Sequence, residues 1–312
     1  MPVTIDQVTA IQFSRSVYLL SQQLGSKFAS KVRNETVSNA EFAYFDAIGP
    51  DEDTQQKTGR HQGTPETEPS FTRRKVMPVP WTNKKVLDKE DLDRMLPDPR
   101  NIVAMNQAQS LGRKKDDLII QAALGSAYIG KTGSSTVSLE AESIGINGDG
   151  TITTLGNATA KGSGTAVGLT KNKMLKMLQL FNEADVDPDI PKYWAIHPQD
   201  ASFLLSLTEV TSADYVPVRN IYQGRVDFFA GFNFFWTNRL LSRTSTDDEF
   251  WRTFAWAQDG LILASIGDVQ TRIEEAERLD FAWVIFSKMD VGAVRMEGAK
   301  VHECLTLKNA LT

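Results

Sequence analysis

Eight consecutive residues match a phosphate-binding pattern. Gly125-Ser126-Ala127-Tyr128-Ile129-Gly130-Lys131-Thr132 reads G-x-x-x-x-G-K-T, a loop whose backbone N–H groups cradle phosphate while the lysine neutralises it. That chemistry needs a buried strand before the loop and a helix opening at the Lys-Thr. Here the order is inverted. Residues 116–124 carry the apolar period of a helix end, and residues 133–138 are Gly, Ser and Thr with one Val. Gly125 and Gly130 therefore read as a helix C-terminus and the turn beyond it. A P-loop nucleotide-binding protein stays as one alternative.

The other chemistry-bearing groups are sparse. On a strand, His302 and Cys304 would share a face, but a closed zinc site needs two further ligands. Cys304 is the single cysteine, which excludes a disulfide framework and a multi-thiolate metal site. As a nucleophile it would need His197 or His302 as base. His302 is too close along one strand, and no third group orients either histidine. Asp185, Asp187 and Asp189 alternate like calcium ligands without the required glycine and distal glutamate. Glu274, Glu275 and Glu277 read as a solvated turn. Phe228 to Trp236 contains no basic residue, so it reads as core strand or subunit interface and not as a base-stacking platform. The expectation is a non-enzyme with no catalytic residue, no cofactor and no metal.

Composition narrows the class further. The chain has 312 residues, 41% hydrophobic and 23% charged, with 16 Phe, 6 Trp and 6 Tyr. This supports one large core or two modest ones. The net charge of −5 disfavours a protein that grips polyanions by counterion release. The longest charge-free apolar stretch, Leu118 to Gly130, is shorter than the ~20 residues a bilayer needs. With no apolar block after a charged start, a soluble protein made in a reducing cytoplasm is expected, with no membrane partner.

The elements that must position these groups are legible in outline. Residues 1–40 read as an arm with a helical stretch at Val8, Ile11, Val17 and Leu20. Residues 41–48 and 71–86 are strand-like and flank the polar segment 49–70, which describes a long β-hairpin projecting from the body. Its charge is sorted. Residues 51–69 carry Asp51, Glu52, Asp53, Glu66 and Glu68 against Lys57 and Arg60, a net of −3. Residues 71–89 carry Arg73, Arg74, Lys75, Lys84, Lys85 and Lys89 against Asp88, a net of +5. An uncored projection needs a surface to pack on, so a neighbouring subunit is expected.

Asp98-Pro99 opens the clearest helix, running to about Tyr128 and ~45 Å long, with Ala104, Ala108, Leu111, Leu118 and Ala122 as its apolar face. Nine glycines between Gly130 and Gly168 mark an exposed insertion, with one short strand at Thr151–Leu155. A helix over Thr170–Ala184 follows, then a buried strand at Tyr193–Ile196 and a helix at Gln199–Leu207. Strands are expected at Val226–Thr237, Phe250–Ala257, Leu261–Ala264, Val269–Ile273, Phe281–Lys288, Gly292–Met296 and Val301–Leu307. Helices early and strands late make the class α+β.

This order of elements resembles the major capsid proteins of tailed bacteriophages, the Hong Kong 97 type fold. Tyr193 to Leu205 (YWAIHPQDASFLL), Val226 to Leu240 (VDFFAGFNFFWTNRL) and Phe281 to Met296 (FAWVIFSKMDVGAVRM) resemble the family's segments in the family's order. The resemblance implies an N-terminal arm (1–40), an extended hairpin loop (41–92) and a peripheral domain with a spine helix and the Gly-rich insertion (93–170). It further implies an axial domain (171–267), peripheral return strands (268–300) and an axial closing strand (301–312). The implied function is a head subunit that self-assembles as hexamers and pentamers around packaged double-stranded DNA, without sequence-specific binding. Arg73, Arg74, Lys75, Trp81, Lys84 and Lys85 are the expected inter-subunit contacts. A separate scaffolding protein, a portal and a decoration protein are the implied partners, with assembly in the host bacterial cytoplasm and residence in the virion. A non-viral shell of the same fold is the other alternative.

Overall fold

The computed structural model describes residues 21–38, 40–49, 56, 59, 68–89, 100–154, 161–206, 227–244 and 248–309. The helical stretch expected in residues 1–20, most of the polar hairpin segment 49–70 and the Asp98-Pro99 cap lie outside them. In chain order come β1 (Arg33–Thr36), β2 (Ala43–Ile48), β3 (Phe71–Val76), β4 (Val79–Leu87) and α1 (Arg100–Leu124). The glycine-rich region supplies β5 (Ser126–Ile129), β6 (Ser135–Ser138), α2 (Leu139–Glu142), β7 (Ile144–Ile146) and β8 (Ile152–Thr154). Next are α3 (Lys171–Glu183), β9 (Lys192–Ile196) and α4 (Pro198–Ser206). The rest is strand: β10 (Phe228–Phe229), β11 (Phe232–Trp236), β12 (Ser242–Thr244), β13 (Glu249–Ala257), β14 (Leu261–Ala276), β15 (Ala282–Arg295) and β16 (Val301–Leu307).

Among the described residues these strands form three sheets. The first has the order β1-β14-β15-β4. The second runs β10-β11-β9-β13-β16-β7-β8, with β12 added on β13. The third, the hairpin sheet, is β2-β3-β5-β6. The mixed α+β class agrees with the expectation, but four strand predictions merge into two. Leu261–Ala264 and Val269–Ile273 are one strand, β14, whose register slips between Ile266 and Gln270. Gly267, at φ +65°, supplies the backbone conformation a bulge needs there. Phe281–Lys288 and Gly292–Met296 likewise fuse into β15. Gly292 is required by closeness, since a Cβ there would lie 2.8 Å from the Met77 carbonyl oxygen.

α1 is the member that ties the sheets together. It ends at Leu124, four residues before the expected Tyr128, because Ser126–Ile129 pairs with β3 and β6 instead. Its 25 residues span ~37 Å. The expected apolar face is only partly the buried one. Leu111 is buried but Ala108 is exposed, while Gln107, Ile119, Ile120, Ala123 and Leu124 point inwards. Gln107 is inside because it donates to the Ile285 carbonyl (3.1 Å) and accepts from Ser287 (2.9 Å), a pairing that an apolar pattern does not register.

Two layers of core lie on either side of the second sheet. Met174, Met177, Leu180 and Phe181 of α3 pack with Trp194, Phe232, Phe234 and Cys304 on one face. On the other, Ile119, Ile120 and Leu124 of α1 meet Phe28, Phe254 and Trp256. Phe28 stacks on Trp256 at 5.5 Å and meets Phe235 edge-on at 4.9 Å, a geometry aromatic quadrupoles favour. α3 begins as expected, with Thr170 accepting from the Lys173 N–H as its N-cap, worth ~1 kcal/mol.

Candidate inter-subunit surface

The hairpin sheet has one face on the body and one in solvent. Strand alternation sends Ala43, Phe45 and Val76 inwards against Ile262, Ala264 and Val294 of the first sheet. The outward face presents Tyr44, Lys75 and Tyr128 side by side, then Asp46 opposite Arg73, then Ile48 opposite Phe71. Ile48 and Phe71 are 68% and 67% exposed. These two large apolar side chains form the last described pair of the hairpin strands and face solvent. A cavity of about 450 Å³ lies beside them, lined by Asp46, Phe71, Arg73, Gly130 and Lys131.

The three basic residues of β3 divide by this alternation. Arg73 grips Asp46 with two hydrogen bonds of 2.6 and 2.8 Å, which holds the Asp46 carboxyl below the usual carboxylate range. Lys75 Nζ sits 3.9 Å from the centre of the Phe42 ring, a cation–π contact within the subunit. Arg74 is different. It is buried, donates to the Met296 carbonyl at 2.9 Å and pairs with Glu142. Among the expected contact residues, Arg74 has its guanidinium enclosed within its own subunit.

Glu142 faces a second guanidinium, that of Arg295, at 3.1 Å. Arg295 is fully buried, and its Nη1 donates to the carbonyls of Ala123 (3.0 Å) and Gly125 (2.8 Å) at the end of α1. A helix C-terminus leaves unsatisfied carbonyls and a partial negative charge, and a cation there answers both. Burial pushes the Arg295 guanidinium below its ordinary pKa, while Glu142 opposes the shift. The hairpin root, the helix end and β15 thus meet at one carboxylate.

Trp81 of β4 packs with Leu111, Met289 and Val291 and lies under Lys114, whose Nζ is 4.0 Å from its ring centre. Lys84 and Lys85 are exposed, with no ion pair among the described residues. The structure therefore does not bring the six predicted residues into one patch. Arg73 and Lys75 stand on the hairpin sheet, Lys84 and Lys85 on the outer strand of the first sheet, and Trp81 between helix and sheet.

The phosphate motif becomes a β-hairpin. Ser126–Ile129 and Ser135–Ser138 pair antiparallel, and the intervening turn is closed by Gly133 N–H donating to the Gly130 carbonyl. No helix opens at Lys131, so the motif lacks the dipole that binds phosphate. Among the described residues no group of three His, Cys, Asp or Glu is placed to hold a metal. Burial pushes the Cys304 thiol up to about 12, so it carries no thiolate for nucleophilic attack.

Besides Arg295, several buried charges escaped the sequence reading, among them Lys173, Asp116 and Asp200. Lys173 is fully buried and donates to the carbonyls of Gly148 (2.9 Å), Val167 (2.8 Å) and Leu305 (2.7 Å), tying the glycine-rich region to β16. Asp116 accepts from the N–H groups of Lys27 (3.0 Å) and Phe28 (3.2 Å), from Gln23 (2.5 Å) and from Ser26, and so docks residues 23–28 on α1. Asp200 is buried, accepts from Thr306 at 3.0 Å, and is raised to about 6 by burial. Charge alone assigns such residues to the surface; only Thr170-x-x-Lys173 hinted otherwise, by placing Lys173 in the first turn of a capped helix.

A family model described as phage capsid protein matches residues 5–307. No curated protein matches the chain by sequence. Among solved structures, the capsid of cyanophage P-SCSP1u superposes with a TM-score of 0.71 at 15% identity, covering 97% of this chain and 94% of that chain. The capsid of cyanophage Pam1 gives 0.68 at 13% identity, over 96% and 97%. The mature capsid of bacteriophage PhiM1 gives 0.65 at 12% identity, over 96% and 92%.

Proposed function

The chain belongs to the phage capsid protein family, and from that premise we propose that it is the major head subunit of a tailed bacteriophage. Its copies close into an icosahedral shell around packaged double-stranded DNA, with no chemical step of its own. The likeness of fold to capsid subunits over almost the whole chain carries this reading. The exposed Ile48–Phe71 pair supports it, because a hairpin of that kind is finished by lying on a neighbour. In this reading residues 41–92 form the inter-subunit loop, 93–170 and 268–300 the peripheral domain, and 171–267 with 301–312 the axial domain. Arg73, Lys75, Trp81, Lys84 and Lys85 serve as contact residues. The net negative charge suits a container that must not adhere to its DNA. Scaffolding and portal proteins act during assembly in the host bacterial cytoplasm, and a decoration protein is a further candidate partner.

Negative-stain electron microscopy of the purified protein, expressed with and without its neighbouring genes, tests this. Closed shells tens of nanometres across are expected, with nuclease-protected DNA in those isolated from infected cells. Dispersed monomers in both preparations overturn the reading. Removing residues 51–69 is expected to leave a soluble subunit that no longer closes into shells.

A further inference from the structure

Among the described residues, the far half of the first sheet ends in two unpaired edges. β1 covers β14 only as far as Ser265, which leaves residues 266–276 open on that side. β4 pairs with β15 on one side and with no strand on the other. Pro80 lies within β4, where the missing N–H is tolerated because an edge strand needs no second partner. The two edges are oppositely charged. β14 presents Asp268, Glu274 and Glu275 against Arg272, which lies 3.7 Å from Glu274, with Glu277 and Arg278 just beyond its end, all exposed. β4 presents Lys84 and Lys85, with Lys89 just beyond and Asp88 the one opposing charge, again all exposed. Lysines alone would be the ordinary guard against edge pairing. An acidic edge on the other side of the same sheet turns that guard into a selective one.

The geometry points to a continuation of this sheet from one copy to the next, β4 of one subunit lying along β14 of its neighbour. The inference rests on the assembly reading above and names the contact that Lys84 and Lys85 make. β4 and β14 both run antiparallel to β15, so the added pair is parallel when both copies present the same face. The rows across the sheet are Arg272–Phe286–Lys84 and Ile273–Ile285–Lys85. A slide of two residues keeps every side chain on its own face. It sets the next copy's Glu274 beside Lys84 and the next copy's Glu275 beside Lys85. The contact is heterologous, since each edge repels its own kind, and such contacts build rings when the rotation closes.

Charge reversal tests the pairing. K84E/K85E and E274K/E275K are each expected to lower shell yield at least ten-fold by electron microscopy and sedimentation, while thermal melts of the subunits stay near wild type. The quadruple reversal restores complementarity and is expected to restore shells. Doubles that assemble like wild type, or a quadruple as defective as the doubles, overturn the proposal. A second measurement does not depend on tolerance of reversed charge. In K84C/E274C the new thiols fall within disulfide reach, and native Cys304 is fully buried. Mild oxidation of assembled shells is expected to give a covalent ladder, and monomers alone overturn the pairing. If wild-type protein forms no shells at all, the assembly reading fails and the pairing with it. Wild-type shells without rescue or ladder defeat the pairing alone.

Discussion

Replacing Glu142 by Gln removes one negative charge and almost no volume. In the wild type that carboxylate is 16% exposed and lies between the guanidiniums of Arg74 and Arg295, which are 8% and 0% exposed. The amide retains one acceptor oxygen, but its NH₂ group turns a donor towards one of two arginines that are themselves all donor. Two buried cations then face each other without a counter-charge. Breaking a buried pair by deleting one partner costs about 3–5 kcal/mol. At ~2.1 cal/mol/K per residue the unfolding entropy of a chain this long is ~0.65 kcal/mol/K, so the midpoint should fall by roughly 5–8 °C. Circular dichroism or calorimetric melts of unassembled subunits read this directly. The loss should persist at high salt, because a buried pair is poorly screened. A cycle with Arg74→Met should show strong coupling, the double variant losing less than the two single losses together. A Glu142→Gln midpoint within about 1 °C of wild type would falsify the claim that one carboxylate holds the hairpin root to the helix end.

Other perturbations probe the remaining buried charges. Asp116→Ala strips the acceptor from the donors of residues 23–28 and should make residues 21–32 the first site of limited proteolysis, while retention of wild-type resistance would contradict the docking role. Lys173→Met leaves the carbonyls of Gly148, Val167 and Leu305 without their donor and should cost roughly 3 kcal/mol or more, visible as a lower midpoint and faster cleavage at residues 161–169. Asp200 has a folded pKa raised from 3.8 to about 6, so its contribution is fully present below about pH 4 and is lost as pH rises through about 6. Asp200→Asn should therefore melt like wild type near pH 4 and higher than wild type near pH 8, by on the order of 3 kcal/mol; equal midpoints at both pH values would refute the assignment.

The hairpin was legible in part: Ala43–Ile48 and the first half of the expected 71–86 arm do pair around a segment with almost nothing apolar, but the arm stops at Val76, and Val79–Leu87 leaves it to pair with β15. α3 was legible to the residue, since Thr170 is a good N-cap and the Met174–Met177–Phe181 stripe has helical spacing. β14 was not. Its bulge at Gly267 breaks the alternation that marks one strand, so the sequence reads as two. β5 and β6 stayed hidden because four residues each is too short for a period, and their partner β3 is distant in sequence. For the proposed contact residues the sequence shows charge but not facing. Basic residues on β3 and β4 are plain in the sequence, but which face each occupies depends on register, and one position separates solvent-facing Arg73 from enclosed Arg74. Arg295, Asp116 and Lys173 were illegible for a deeper reason. Their partners are mostly backbone groups, and the backbone is the same at every residue.

That property has a consequence for Asp116. Two of the chain positions it holds, Lys27 and Phe28, are held by their main-chain N–H groups, which every residue but proline possesses. At Lys27 and Phe28 the instruction for the path of the segment is therefore written at position 116, while Gln23 and Ser26 add side-chain donors of their own. Lys27 should accept many replacements with the path unchanged, proline excepted, and Phe28 is restricted only by its ring. Substitution tolerance should be broad at Lys27 and narrow at Gln23 and Ser26, whose side chains donate to the same aspartate some ninety residues away in the chain, and at the buried Phe28.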